Sequence, residues 1–257
     1  MFGFKKQVKP FNDLYDMHCH VFYQVDDGSR SVEMSKSMLD TAYEQGIRHI
    51  IATPHFNPRI WNKDQQDLAE RYQIMQQLLT KTHPDMDIHL GAEIFYRDDE
   101  TPYLYMSHTA PTMAGSRYVL FEFITDIEFR KMREAIREAV TNGYIPILAH
   151  IERFFCLLDN IDRVYEISEA GCYLQTNAGT IIGKSGSVAQ KFIFKLMKDE
   201  MIDFVGTDAH RDEGNRQMKM QSAYQEVARR FGEDYAVRIF HDNPEHILAD
   251  KFLDDVL

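Results

Sequence analysis

Asp13-Leu14-Tyr15-Asp16-Met17-His18-Cys19-His20 is an apolar, extended stretch that ends in two imidazoles. In a β-strand, side chains two apart share a face, so His18 and His20 point one way and Cys19 the other. Two imidazoles on one face suit a metal, but His-x-His is a short pattern and needs partners from elsewhere. The same event recurs along the chain. A second strand, His49-Ile50-Ile51-Ala52-Thr53, runs into Pro54-His55, where proline has no N–H to continue the ladder. The third, Ile88 to Phe95, carries Glu93, and the fourth, Tyr118 to Phe123, carries Glu122 among large apolar residues, where a carboxylate needs a partner. The fifth, Tyr144 to Ala149, runs into His150-Ile151-Glu152-Arg153. A sixth, Cys172 to Asn177, follows, and the seventh, Asp203 to Thr207, ends in Asp208-Ala209-His210.

Helical sequence separates these strands. Ser31 is placed to cap a helix that stops before Gly46, and Asn62 with Gln65 forms a capping box for a helix to Thr82, with Trp61 in the loop before it. Further helices are expected over Phe129 to Asn142, Asp162 to Ala170 and Val188 to Lys198. The remainder from Gly214 is helical, and Asn243-Pro244 starts the last helix. Alternating β and α units imply a parallel sheet, here closed into a seven-stranded, TIM-like barrel of α/β class. Residues 1–12 are expected to be a tail and 13–257 one domain, with no Pro/Gly/Ser-rich linker inside it.

Composition narrows the function classes. The chain has 257 residues and a formal charge of −11 with both signs mixed along it, which disfavours a nucleic-acid groove. Its three scattered cysteines form no disulfide framework, and no apolar run is long enough to span a bilayer. The N-terminus lacks a secretory signal, so a cytoplasmic protein is expected. Oligomeric state has no signature here.

His18, His20, His55, Glu93, Glu122, His150, Asp208 and His210 all fall at or near C-terminal strand ends, the face on which barrel enzymes build their sites. With Asp27 from the first loop, these residues make four carboxylates and five imidazoles, too many for one ion. Two or three divalent ions with bridging carboxylates fit better, and the oxygen and nitrogen donors suit Mn, Fe or Zn. A thiol mechanism fails on spacing. A cysteine-dependent tyrosine phosphatase needs Arg six residues after its Cys, and the positions six after Cys19, Cys156 and Cys172 are Val25, Asp162 and Ala178.

His18-Cys19-His20 with Asp26-Asp27-Gly28, Thr53-Pro54-His55, Gly91-Ala92-Glu93, Phe121-Glu122-Phe123, Ala149-His150-Ile151-Glu152-Arg153 and Asp208-Ala209-His210 resemble, in order and spacing, the PHP (polymerase and histidinol phosphatase) superfamily. The likeness runs from about Tyr15 to Ala249 and is strongest to its bacterial tyrosine phosphatases of capsule and exopolysaccharide operons, the CpsB type. It implies a distorted (β/α)7 barrel, a trinuclear, usually manganese-dependent centre, and a phosphorylated bacterial tyrosine kinase as substrate. By position it assigns His18, His20, Glu93 and Asp208 to one ion, Glu93, Glu122 and His150 to a second, and Asp27, His55 and His210 to a third. Arg153 would grip the phosphate, joined by Arg216 or Arg211. A metal-bridged hydroxide would attack phosphorus in line without a phosphoenzyme, and Asp208 and His55 are candidate acids for a phenolate of pKa about 10.

Three other readings compete. A phosphoesterase for a small metabolite such as histidinol phosphate would use the same ions. An amidohydrolase also starts from His-x-His, but its metals are often bridged by a barrel lysine, and no lysine lies in these strands. A pure binding module would be expected to lack some of the nine donors. Phe56, Arg59, Trp61, Tyr96 and Arg97 are candidate rim residues for a shallow cleft.

Overall fold

The computed structural model describes residues 8–56 and 65–253. Its elements in chain order are β1 (Leu14–Cys19), α1 (Val32–Glu44), β2 (Ile47–Ala52), β3 (His55–Phe56), α2 (Gln65–Thr82), β4 (Asp87–Leu90), β5 (Glu93–Phe95), α3 (Thr101–Met106), β6 (Tyr118–Glu122), α4 (Phe129–Thr141), β7 (Ile145–Leu148), α5 (Phe155–Leu158), α6 (Asp162–Glu169), β8 (Tyr173–Asn177), α7 (Ala178–Ile181), α8 (Ser187–Lys198), β9 (Phe204–Gly206), α9 (Gln221–Phe231), α10 (Glu233–Val237) and α11 (Asn243–Ala249). This is a mixed α/β fold whose strand pairs are all parallel. Three strands run in the order β1-β2-β4 and six in the order β3-β5-β6-β7-β8-β9, and together they curl.

The structure divides two of the expected strands. The second breaks at Thr53-Pro54 and resumes as β3, because Pro54 offers no donor to its neighbour. The third breaks at Gly91-Ala92 between β4 and β5. A side chain at Gly91 would sit 2.9 Å from Met113 Sδ and 3.0 Å from Ile51 Cγ2, so glycine lets these side chains pack closely over the break. Backbone bonds still cross both breaks, with Gly91 N donating to Ala52 O at 2.8 Å and Glu93 N to Pro54 O at 3.1 Å.

Strand alternation sorts the core into two layers. On β6, Val119 and Phe121 join the large cluster under the helices, while Tyr118 and Leu120 join a smaller cluster inside the curl with Met17, Ile147 and Phe204. Full burial of each such side chain contributes about 1.5–3 kcal/mol. The helices cover the outer layer with amphipathic faces. On α4, Met132, Ala135, Ile136 and Ala139 are buried, spacings that put them on one stripe. Ser31 caps α1 as expected, accepting from Met34 N at 3.2 Å.

Part of the expected N-terminal tail lies against α9. Gln221 and Gln225 donate to the carbonyls of Phe11 and Val8, each at 3.3 Å, and the Phe11 ring stacks on Tyr224 at 5.3 Å. The capping box at Asn62, together with Arg59 and Trp61, lies outside the described residues. Among the described residues no helix is long and apolar enough to cross a membrane.

Candidate metal centre

β1 delivers His18 and His20 to one face, both fully buried, while Cys19 joins the core behind the strand. Its continuation pairs with the chain beyond β9. Asp208 N donates to His18 O at 2.7 Å, and His20 N to Ala209 O at 2.9 Å, which brings Asp208 and His210 beside the two rings. Two exits use a left-handed backbone, His150 (φ 33°) after β7 and Asp208 (φ 52°) after β9. Such geometry is strained for non-glycine residues and concentrates at functional sites. Asp16, fully buried under this junction, accepts from Thr207 N at 2.9 Å and ties β1 to the end of β9. Burial lifts its carboxyl to about 6 against the lowering pull of the Thr207 hydrogen bonds.

Glu93, 1% exposed, is the hub. Its Oε2 lies 3.2 Å from His18 Nε2, 3.3 Å from His20 Nε2 and 3.1 Å from His55 Nδ1, and its Oε1 lies 2.8 Å from His150 Nε2. Asp208 Oδ1 stands 3.9 Å from His18 Nε2 and 3.6 Å from His20 Nε2. On the other side of Glu93, His150 Nε2 lies 3.3 Å from Glu122 Oε2. Asp27, 60% exposed at the mouth, reaches His55 Nε2 at 3.4 Å and His210 Nε2 at 3.2 Å. All nine residues singled out from the sequence therefore converge. The donors form overlapping groups, His18/His20/Asp208, His20/Asp27/His55/His210 and His55/Glu93/Glu122, each within 4.8 Å.

The donor chemistry fits divalent cations. His18 Nε2, His20 Nε2 and Glu93 Oε2 are buried without a well-formed hydrogen bond, although they face one another. Three of the rings have their Nδ1 against an oxygen, His18 on Gln175 Oε1 (3.2 Å), His20 on Asp26 Oδ2 (2.7 Å) and His210 on the Asp208 carbonyl (3.0 Å). That arrangement turns each Nε2 toward the cluster, as metal-binding histidines require.

The electrostatics point the same way. Burial opposes the Glu93 charge, but His18, His150 and His20 outweigh it and hold the carboxyl well below its usual range. Burial also opposes imidazolium at His20 and His150, yet the hydrogen-bonded Asp26 and the adjacent Glu93 raise the first to about 10, and the carboxylates of Glu122 and Glu93 raise the second to about 9. His55 is raised, against its burial, by Glu93. His210 is pushed down to about 3 by burial and by the charge of His20. Asp208 stays ionised despite burial, through His18 and Arg153.

Arg153 pairs with Asp208 at the mouth. Arg216 donates to Asp208 Oδ1 at 2.9 Å and lies 2.9 Å from His210 Nε2, so its guanidinium stands over the cluster. Arg211 does something else, donating to the carbonyls of Gly28 (2.8 Å) and His210 (2.7 Å). The expected rim is otherwise engaged where the chain is described. Phe56 is buried, Tyr96 donates to Glu138 on α4 at 3.2 Å, and Arg97 pairs with Asp99 at 3.4 Å.

Sequence reasoning passed over a second set of polar residues. Gln175 on β8 accepts from His150 N at 2.7 Å as well as facing His18, and Asn177 donates to Asp208 Oδ2 at 2.9 Å. Glu152, buried, accepts from Thr176, Asn177 N and Thr180 and fixes the end of that strand. Gln175 in a buried strand carried the same signal as Glu93, a polar group whose burial demands partners. The thiols are held in their protonated form. Burial pushes all three upward, and Cys19 and Cys172 are fully enclosed.

A model of the family described as capsular polysaccharide synthesis, CpsB/CapC, matches residues 14–249. The chain is 31% identical over 245 residues to the tyrosine-protein phosphatase CpsB of Streptococcus pneumoniae, covering 93% of this chain and 100% of that one. It superposes with a TM-score of 0.84, at 27% identity over 93% of this chain and 96% of the other, on a crystal structure described among those of YwqE from Bacillus subtilis and CpsB from Streptococcus pneumoniae, unique metal-dependent tyrosine phosphatases. A dihydroorotase from Campylobacter jejuni shares the fold alone, with a TM-score of 0.58 at 10% identity over 97% of this chain and 86% of that one. None of the nine described strands contains a lysine.

Proposed function

The chain belongs to the capsular polysaccharide synthesis CpsB/CapC family, and from that premise we propose that it is a metal-dependent protein-tyrosine phosphatase. The observation that carries the proposal is the convergence of nine nitrogen- and oxygen-bearing residues, with Glu93 at their centre, beneath two guanidinium groups. His18, His20, Glu93 and Asp208 would hold one ion, Glu93, Glu122 and His150 a second, and Asp27, His55 and His210 a third. The two Glu93 oxygens, one toward His18 and His20 and the other toward His150, suit a bridging carboxylate. Manganese is our first choice, with iron or zinc as alternatives.

Such ions, when bound, polarise a phosphoryl group and supply a nucleophile at neutral pH. The chain's own residues do the rest. Arg153 and Arg216 neutralise the non-bridging oxygens of the phosphate, a task suited to planar, always-charged groups. Both now lean on Asp208, which acts as their anchor and as a ligand. Held ionised, Asp208 is no proton donor, and a phenolate of pKa about 10 leaves without a strong acid. No thiolate takes part.

The substrate we infer is a phosphotyrosine on a flexible protein tail, such as that of a bacterial tyrosine kinase controlling capsule or exopolysaccharide synthesis, met in the cytoplasm. The exposed Asp27 and the accessible guanidiniums support an open mouth that a protein-borne phosphate can reach. The same reading takes residues 13–257 as one seven-stranded PHP barrel, counting β2 with β3 and β4 with β5 as interrupted strands. The bridge between Cys19 and Ala209 supports its closure.

The test is hydrolysis of a phosphotyrosine peptide beside histidinol phosphate, after EDTA stripping and after Mn²⁺ restoration. Activity that survives complete metal removal sinks the mechanism. Faster turnover of histidinol phosphate sinks the substrate assignment.

A further inference from the structure

We propose that Asp26 is a positioning residue that holds three metal-facing groups in register at once: the ring of His20, the backbone of His55 and the loop bearing Asp27. The inference rests on the reading of the nine residues as metal ligands, of which Asp26 is not one. Its Oδ2 lies 2.7 Å from His20 Nδ1 and accepts from His55 N at 2.8 Å, while its Oδ1 accepts from Gly28 N at 2.8 Å. The carboxylate is almost wholly shielded from water, with 6% of its side chain exposed.

An ionised carboxylate only accepts, so the proton on His20 must sit at Nδ1 when a cation takes the other nitrogen. The Nε2 lone pair is then free to face Glu93 Oε2 and Asp208 Oδ1, at 3.3 and 3.6 Å. The second bond sets where β3 begins, and with it the His55 ring, which spans Glu93 and Asp27. The third closes the turn behind Asp27. Glycine is required at 28 because a Cβ there would lie 2.3 Å from the His20 carbonyl and 2.8 Å from Asp26 Oδ1. In the proposed assignment His20 serves the first ion and His55 and Asp27 the third, so one side chain is the common support of two sites.

An amide does not substitute for this group. Asp26→Asn keeps the shape but has one acceptor oxygen, and three N–H groups converge on the two carboxylate oxygens. With its oxygen toward His20 and His55, the NH₂ meets the Gly28 N–H. Flipped, the NH₂ faces His20 Nδ1 and favours the tautomer with its proton on Nε2, the nitrogen that must ligate.

The experiment compares full-length wild type, Asp26→Asn and Asp26→Ala. Each is stripped with EDTA and titrated with Mn²⁺ by calorimetry, with bound manganese per chain counted by elemental analysis. Removing an outer partner of a ligand weakens metal binding by about 10- to 100-fold, and the loss is expected at two of the sites while the metal-free melting temperature stays near that of wild type. An Asp26→Asn chain that binds the wild-type complement of Mn²⁺ with wild-type affinity overturns the proposal. If the variants do not fold, nitrogen NMR of Zn²⁺-loaded, histidine-labelled wild type decides. A proton on His20 Nδ1 supports the proposal, and a proton on Nε2 with Nδ1 ligating overturns it. Phosphotyrosine peptide hydrolysis by wild type is measured in parallel. A wild type that loads Mn²⁺ in an Asp26-dependent way yet leaves the peptide intact supports the role of Asp26 and overturns the phosphatase reading.

Discussion

Glu93→Gln is the most revealing single change, because it removes one charge from the point where the donor groups meet and hardly alters volume. In the wild type, Glu93 Oε2 faces His18 and His20 while Oε1 faces His150, which places the carboxylate to serve two ions. An ion present at 100 times its dissociation constant stabilises the fold by about 2.7 kcal/mol, and two by about 5.5 kcal/mol. For a chain of this size each kcal/mol moves the melting temperature by about 2–4 °C, which predicts about 10–20 °C of Mn²⁺-induced shift from these two ions, with the share of the third ion common to both proteins. Replacing the carboxylate by an amide removes a ligand outright, and about 100-fold weaker binding at each ion is a floor, being the upper end of the cost of losing only an outer partner. At the same Mn²⁺ concentration each of these two ions then contributes about 0.4 kcal/mol and their joint share of the shift falls to about 2–3 °C. The assay is thermal melting by circular dichroism of both proteins, metal-free and with Mn²⁺. The metal-free melts report folding, and the difference reports binding. A Glu93→Gln protein that gains as many degrees from Mn²⁺ as the wild type would falsify the assignment of Glu93 as a shared ligand.

In the metal-free chain His20 and His150 are held at about 10 and about 9, above the ordinary histidine value, so their contribution to stability is present below about pH 6.5 and is lost as pH rises through 9 to 10. Metal uptake must expel those protons, and Mn²⁺ affinity should therefore rise with pH over the same interval; calorimetry in buffers of different ionisation enthalpy counts the protons, and no proton release at pH 7 contradicts the geometry. Arg153→Ala should lower kcat/KM on phosphotyrosine peptide by about 10²–10³-fold, as loss of a charged donor to the transition state does, while Mn²⁺ binding persists; full activity removes Arg153 from the site. Arg211→Ala should weaken the loop around Gly28 and leave phosphate affinity far less affected than Arg216→Ala, and equal effects on inhibition by inorganic phosphate would contradict their placement. Iodoacetamide under native conditions should leave hydrolysis intact, because Cys19 and Cys172 are enclosed and protonated; inactivation that tracks alkylation of Cys19 would reinstate a thiol mechanism.

Much of the centre was legible because burial makes polar residues conspicuous. Glu93 and Glu122 stand in apolar strands, His18 lies near the end of β1, and His20, His150 and Asp208 come just after strands, so period and position alone bring them to one face. The supporting groups were not legible in the same way. Asp26 reads as an ordinary turn residue beside Asp27, and nothing local distinguishes an aspartate that accepts from His20 and His55 from one that faces water. Arg216 and Arg211 both follow the last motif, and only the path of the loop sends one to Asp208 and His210 and the other to backbone carbonyls.

By itself, the sequence determined the alternation of elements, the inward face of each strand and the candidate donors on or directly after the strands. Those follow from the two-residue period of a strand and from the cost of burying an unpaired charge, both properties of short segments. Tertiary structure decided the breaks after Ala52 and Leu90, the pairing of Asp16 with Thr207 across 191 residues, and which oxygen each imidazole leans on. Contacts of that kind depend on where distant chain segments meet, to within an ångström, and no local period encodes that distance.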